Sequence, residues 1–197
     1  MTYPKVVTRP TPVISPTARL LGRRALVTST DSAIGAAVAS AFSREGAAVI
    51  SMAGGPLDET SAAEFIENAA LQLGGLDIVV VVPEPSSGEL ASTPLDQVLH
   101  QNIYPLFWLS KAAHRYLAPG SAIITTDLVD GIGRRASIAE AKAGIETVTR
   151  SLAQKLEADG IRVNGVAPRE HNADAQHVAA AYLEAATGSM TGQMLVI

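Results

Sequence analysis

The chain has 197 residues, enough to bury one sizeable core but not a second domain of ordinary size. Aliphatic residues are abundant and aromatics make up only 4% of the sequence, as a parallel sheet covered by helices on both faces requires. Cysteine is absent, which excludes a disulfide framework and a cysteine-ligated metal site, and the formal charge of −4 gives no basic footprint for nucleic acid.

Residues 1–20 hold Pro4, Pro10, Pro12 and Pro16 among threonines, serines and basic residues. Such a composition cannot sustain a helix or a sheet interior and predicts an extended arm, either a loose leader or a partner-binding segment. The arm lacks the apolar stretch of a secretory signal, and no apolar run of the chain is long enough to cross a bilayer, so a cytoplasmic location is expected by default. From residue 21 to residue 197 a single domain is expected. In chain order the patterning predicts strand 24–29, helix 33–45, strand 47–52, helix 60–73 and strand 76–82. A long helix over about 94–117 follows, then strand 121–127, helix 137–158, strand 161–166, helix 173–186 and strand 193–197. Strands alternating with helices imply crossover connections and a parallel, three-layer α/β sheet of the doubly wound kind.

Particular blocks carry a family likeness. Gly22 to Gly35 reads Gly-Arg-Arg-Ala-Leu-Val-Thr-Ser-Thr-Asp-Ser-Ala-Ile-Gly, a strand running through a turn into a helix. Leu76-Asp77-Ile78-Val79-Val80 follows as a central strand, with Asn102 in a long helix and Lys142-Ala143-Gly144 in another. Gly160 to Pro168 and Thr191 to Val196 complete the series. In this order and at these intervals the blocks resemble the short-chain dehydrogenase/reductases, in particular the 3-oxoacyl-acyl carrier protein reductase-like members. The likeness runs from about Leu21 to the last residue. It implies a Rossmann-like sheet, a nicotinamide dinucleotide at the first turn and a catalytic Ser, Tyr and Lys with a supporting Asn.

This chain departs from that pattern at several places. The family's first turn reads Thr-Gly-x-x-x-Gly-x-Gly, because glycines let the backbone approach the cofactor pyrophosphate at the helix N-terminus. The aligned residues here are Thr28, Ser29, Ala33 and Gly35, so one of the three glycines survives, and Ser29 is expected to lose glycine's freedom at positive φ. Gly35 itself is explained as well by close packing of helix on strand. The second strand ends in Ala53-Gly54-Gly55-Pro56, without the acidic or basic group that would read a ribose or its phosphate. The next helix begins almost at once, so the family's helix and third strand after the second strand are expected to be deleted. After the central strand, Val81-Val82-Pro83-Glu84 stands where the family has Asn-Asn-Ala-Gly.

The catalytic positions differ too. Lys142 and Asn102 match the family pattern, but Ile138 stands at the tyrosine position and Leu128 at or next to the serine position. Tyr104, Tyr116 and Tyr182 lie on other helices and are not expected to substitute. Asp127 and Asp130 follow the fifth family strand, where open parallel sheets place their ligand crevice. With Lys142 they form either an acid/base couple or an ion pair satisfying a partly buried lysine, and the second reading is preferred. Asn102 also has a structural explanation, as a helix-bending asparagine. His114 reads as a solvated surface group, while Trp108 and Phe107 read as core or subunit contacts. Arg169 to Asp174 replaces a long substrate lid with a short connector.

The expectation is therefore a non-catalytic relative, with no cofactor and no metal. It would assemble with itself or with an active ketoreductase-like member through the helices around 94–117 and 137–158 and the C-terminal helix and strand. An enzyme without nicotinamide is the alternative, an isomerase, dehydratase or cyclase using Asp127, Lys142 and Asn102. A residual NADP(H)-dependent oxidoreductase ranks third.

Overall fold

The computed structural model describes residues 18–56, 58–83, 95–128, 136–168 and 175–197. Glu84, Asp130 and the connector 169–174 lie outside the described residues, as does most of the N-terminal arm. Six parallel strands form one sheet in the order β2-β1-β3-β4-β5-β6. They are β1 (Arg24–Val27), β2 (Ala48–Ser51), β3 (Leu76–Val81), β4 (Leu117–Thr126), β5 (Arg162–Ala167) and β6 (Met194–Val196). The helices between them are α1 (Ala33–Arg44), α2 (Glu59–Leu73), α3 (Leu95–Asn102), α4 (Tyr104–Ala113), α5 (Ala136–Leu156) and α6 (Ala175–Thr187).

Helices cover both faces of the sheet, so its central strands must be apolar on both sides. Along β3 the alternation divides cleanly: Ile78, Val80 and Val82 pack with Val38, Phe42 and Tyr182 from α1 and α6. Val79 and Val81 pack with Ile66, Leu106, Leu109 and Ile145 from α2, α4 and α5. Leu20 is 1% exposed and belongs to the first cluster, so the folded unit takes in the last residues of the proline-rich segment.

The predicted deletion is visible in the topology. Among the described residues β2 is the last strand on its side, and α2 leads from it to β3 on the opposite side of β1. Only a short connection precedes α2, closed by a capping box in which Asp58 accepts from the Ser61 amide at 2.7 Å.

One predicted element is corrected. The long helix over 94–117 is two helices, α3 and α4, separated at Ile103. Pro105 has no N–H to offer the carbonyl of Gln101 four residues earlier, so the helix cannot run through unbroken. The same region yields Leu117 to β4, although regular pairing with β3 resumes only at Ala122, after a shift in register.

Candidate functional site

The C-terminal ends of the strands gather the residues singled out in the sequence, and the turn after β1 comes first. Thr28 and Ser29 are both buried. The Thr28 hydroxyl accepts from the Val82 amide at 2.9 Å and approaches the Val82 carbonyl at 3.1 Å. Ser29 Oγ donates to that carbonyl at 2.8 Å. Contrary to the expectation for a residue with a Cβ, Ser29 keeps a left-handed backbone, at φ 49°. Ser29 is held in this region by its Oγ bond to the Val82 carbonyl across the sheet. Gly35 is sterically required, since a Cβ there would overlap the Ser29 carbonyl oxygen.

Sequence reasoning missed what now occupies the start of α1. Ser32 is its N-cap: its Oγ accepts from the Gly35 amide at 3.0 Å and donates to the Ser29 carbonyl at 2.7 Å. A serine three residues before Gly35 at a helix start is a capping signature, so the signal was present. Beside it, pairing between β1 and β2 continues past the strands. Ser29 N donates to Gly54 O at 3.2 Å and Thr30 N to Met52 O at 2.9 Å. Gly54 N in turn donates to the Asp31 carboxylate at 3.3 Å.

On the other side of the turn the rim stays open. A cavity of about 340 Å³ lies between the ends of β1, β3 and β4 and the α3–α4 bend. Thr28, Gly55, Pro56, Val81 to Pro83, Thr125 and Thr126 contribute to its wall, with Gln97, His100, Gln101, Asn102, Pro105, Leu106 and Leu109 from the helices. The break at Pro105 brings Gln101 and Asn102 to this wall, and Asn102 is 7% exposed. No Asp, Glu, Lys or Arg is among the described lining residues.

Asp127 and Lys142 are brought together as expected. Lys142 Nζ lies 3.5 Å from Asp127 Oδ2, and Asp127 Oδ1 accepts from the Leu128 amide at 2.8 Å. Asp127 is buried and Lys142 half-buried, and the pair flanks the cavity next to Thr126 without forming its described wall. Val82 and Leu128 are buried in the cores on opposite faces of the sheet and leave the cavity open. The backbone of Ile138 lies in the first turn of α5, but its side chain is outside the description.

Tyr182 is closer than its place in the sequence implied. Folding of α6 back over the sheet puts its hydroxyl 2.7 Å from Thr126 Oγ1, and it is fully buried. Burial pushes its pKa well above the ordinary tyrosine value. The neighbouring Thr125 turns to the opposite face and bonds Thr149 at 2.8 Å. Farther off, at the N-terminal ends of the strands, His114 pairs with Asp159 at 3.0 Å, so it is a paired surface group rather than a merely solvated one. Trp108 packs partly buried against the core, whereas Phe107 is 47% exposed on α4.

Comparison with known proteins places this geometry. The enoyl-(acyl carrier protein) reductase family model matches residues 57–195. General stress protein 39 of Bacillus subtilis is 36% identical over 183 aligned positions, which cover 76% of this chain and 64% of that protein. The NADPH-dependent aldehyde reductase 1 of Arabidopsis thaliana is 30% identical over 78% of this chain and 67% of its own length. This chain thus spans somewhat less than two thirds of the Bacillus relative. A crystal structure of a short-chain dehydrogenase from Burkholderia cenocepacia, in complex with NADP, superposes with a TM-score of 0.78 at 26% identity, covering 91% of this chain and 97% of that one.

Proposed function

Since the chain belongs to the short-chain dehydrogenase/reductase superfamily and is an oxidoreductase-like protein of that family, we propose that it is a member in which the nicotinamide site is closed and the chain serves an assembly. It acts as a structural or regulatory subunit, in a homo-oligomer or beside an active ketoreductase-like relative.

One observation carries this reading: the protein's own side chains bond to backbone amides at the start of α1 and beyond the end of β2. The Ser32 hydroxyl sits on the Gly35 amide at the start of α1, and the Asp31 carboxylate lies across to Gly54. A carboxylate next to the turn repels a phosphate, and no cation lines the adjoining cavity among its described residues. Ser29 adds a side chain that is committed to Val82. With Ile138 at the tyrosine position, Lys142 has no phenol to activate there, and its partner is Asp127. The residues present therefore do not fit the cofactor, and no hydride step is assigned to them.

For assembly, the support is the outward face of α4. Tyr104 and Phe107 are 43% and 47% exposed, and His100 meets Tyr104 and Trp108 edge-on. Large exposed apolar side chains grouped on one helix mark a contact surface. Members of the family commonly form oligomers.

The test is titration of the purified chain with NADH and with NADPH, followed by nucleotide fluorescence and thermal shift. No saturable binding is expected up to millimolar nucleotide, and micromolar binding of either would overturn the proposal. A second reading, a nicotinamide-independent enzyme, draws on the open cavity beside the Asp127–Lys142 pair with Asn102 in its wall. It predicts turnover of an uncharged substrate that is lost in Lys142→Met, with nucleotide binding still absent.

A further inference from the structure

The cavity beside the α3–α4 bend has a wall of two chemical halves. Val81 and Pro83 from the strand ends, with Leu106 and Leu109 from α4, give it an apolar floor. The hydroxyls on the strand side are already engaged: Thr28 exchanges hydrogen bonds with Val82, Thr125 pairs with Thr149 at 2.8 Å and Thr126 with Tyr182 at 2.7 Å. Their polarity is satisfied within the protein.

The polar half comes from one stretch of α3. Gln97, His100 and Gln101 stand three and four residues apart, which sets them on one side of the helix, and all three are exposed and line the cavity. The bend adds an acceptor to the same turn, since Pro105 has no N–H for the Gln101 carbonyl. A molecule in this space meets apolar surface on one side and neutral donors and acceptors on the other.

Charge is the sharper feature. Among the described lining residues His100 is the one side chain that can gain a charge near neutral pH, because imidazoles take up a proton there and the other lining groups are amides, hydroxyls or hydrocarbons. Its ring is packed on two sides: Tyr104 and Trp108 meet it edge-on, with centroids 5.3 and 5.6 Å away. The titratable groups on the elements that meet there are Tyr104 on α4, Asp96 one helical turn earlier on α3, and the Asp127–Lys142 pair, whose opposite charges offset each other at 3.5 Å. An apolar pocket without a compensating charge rejects a carboxylate, whereas one cation at its rim admits it.

We propose that the cavity binds small molecules with an apolar body and an uncharged, carboxamide-like head, and that His100 sets the charge it accepts, admitting the matching carboxylate only when the imidazole is protonated. The inference deepens the second reading above and rests on its open cavity, but it requires no turnover.

Benzamide and benzoate, matched in shape and different in charge, test it in ligand-observed NMR titrations of the full chain. At about pH 8 benzamide should bind saturably and benzoate at least about tenfold more weakly; at about pH 5.5 benzoate should gain roughly tenfold, while benzamide changes little. His100→Gln should abolish the benzoate gain, and His114→Gln, at the opposite end of the sheet, should keep it. Gln101→Trp, which crowds the cavity from its exposed rim, should weaken both probes. Saturable binding of neither probe to the unaltered chain would overturn the site and take the open cavity of the second reading with it. Equal binding of the two at the higher pH, or a benzoate gain that survives in His100→Gln, would overturn the role of His100 and leave that reading standing.

Discussion

Between β1 and β2 the rim of the sheet is laced together from Ser29 to Gly54, whereas between β1, β3, β4 and α3 it encloses a cavity of about 340 Å³. The closed half is made by a cap at Ser32, a carboxylate at Asp31 that reaches Gly54, and backbone pairing that runs up to three residues past the strands. The open half is walled on its far side by the bend at Pro105, which sets Gln101 and Asn102 across the cavity from the strand ends. The contrast teaches that adjacent stretches of one sheet end can differ, one held together by hydrogen bonds and the other open to a cavity whose described wall carries no Asp, Glu, Lys or Arg.

Breaking the closed half at its tightest point should have the largest effect. Gly35→Val drives a branched side chain into the Ser29 carbonyl and is expected to destabilise the fold by about 3 kcal/mol, read from urea unfolding. Thr28→Val comes next, because the hydroxyl links β1 to the Val82 amide on the border of the cavity. With that buried N–H left unmatched, a loss of about 2 kcal/mol is expected by the same measurement.

A control at the far end of the sheet sharpens the comparison. There Arg24 grips Asp77 at 2.8 and 3.1 Å, and the hydrogen bonds from Arg24 hold the Asp77 carboxyl below the usual aspartate range. A pKa lowered by folding adds stability above the unfolded aspartate value near 4, and that stability is lost as pH falls through the folded value. Asp77→Asn should therefore cost about 1 kcal/mol at neutral pH, discounted because Arg24 is partly exposed, with the gap to the parent protein closing on acidification. A gap that persists undiminished to pH 2 would show that the pair contributes through packing alone.

The smallest effect is expected at Ser29. Ser29→Gly relieves a left-handed backbone and gives up the bond to Val82, opposing changes of about 1 kcal/mol each, so the net should stay within about 0.5 kcal/mol. If the site is closed as proposed, the variant should not bind NADPH, since Ser32 and Asp31 are untouched. Binding restored by this single change would place the block at Ser29 alone.

Much of the fold was legible because it rests on local periodicity. The alternation of strands and helices and the short step from Pro56 to the next helix led to the right layers and, among the described residues, to a sheet ending at β2. The site was legible in part. Asp127 and Lys142 were expected on one crevice because one ends a strand and the other lies near the start of the following helix, and they meet. The α3–α4 break, although Pro105 was in view, was read through as one helix, because apolar spacing on either side of a proline looks continuous.

By itself, the sequence determined the family and the order of the elements, because each is a matter of residue type along the chain. Only the tertiary structure decided that Ser29 keeps glycine's backbone conformation, that Tyr182 reaches Thr126 across 56 residues, and that Asp31 closes on Gly54 while the neighbouring cavity stays open. Those outcomes depend on which distant groups meet in three dimensions to satisfy buried donors and acceptors, and spacing along the chain does not encode such meetings.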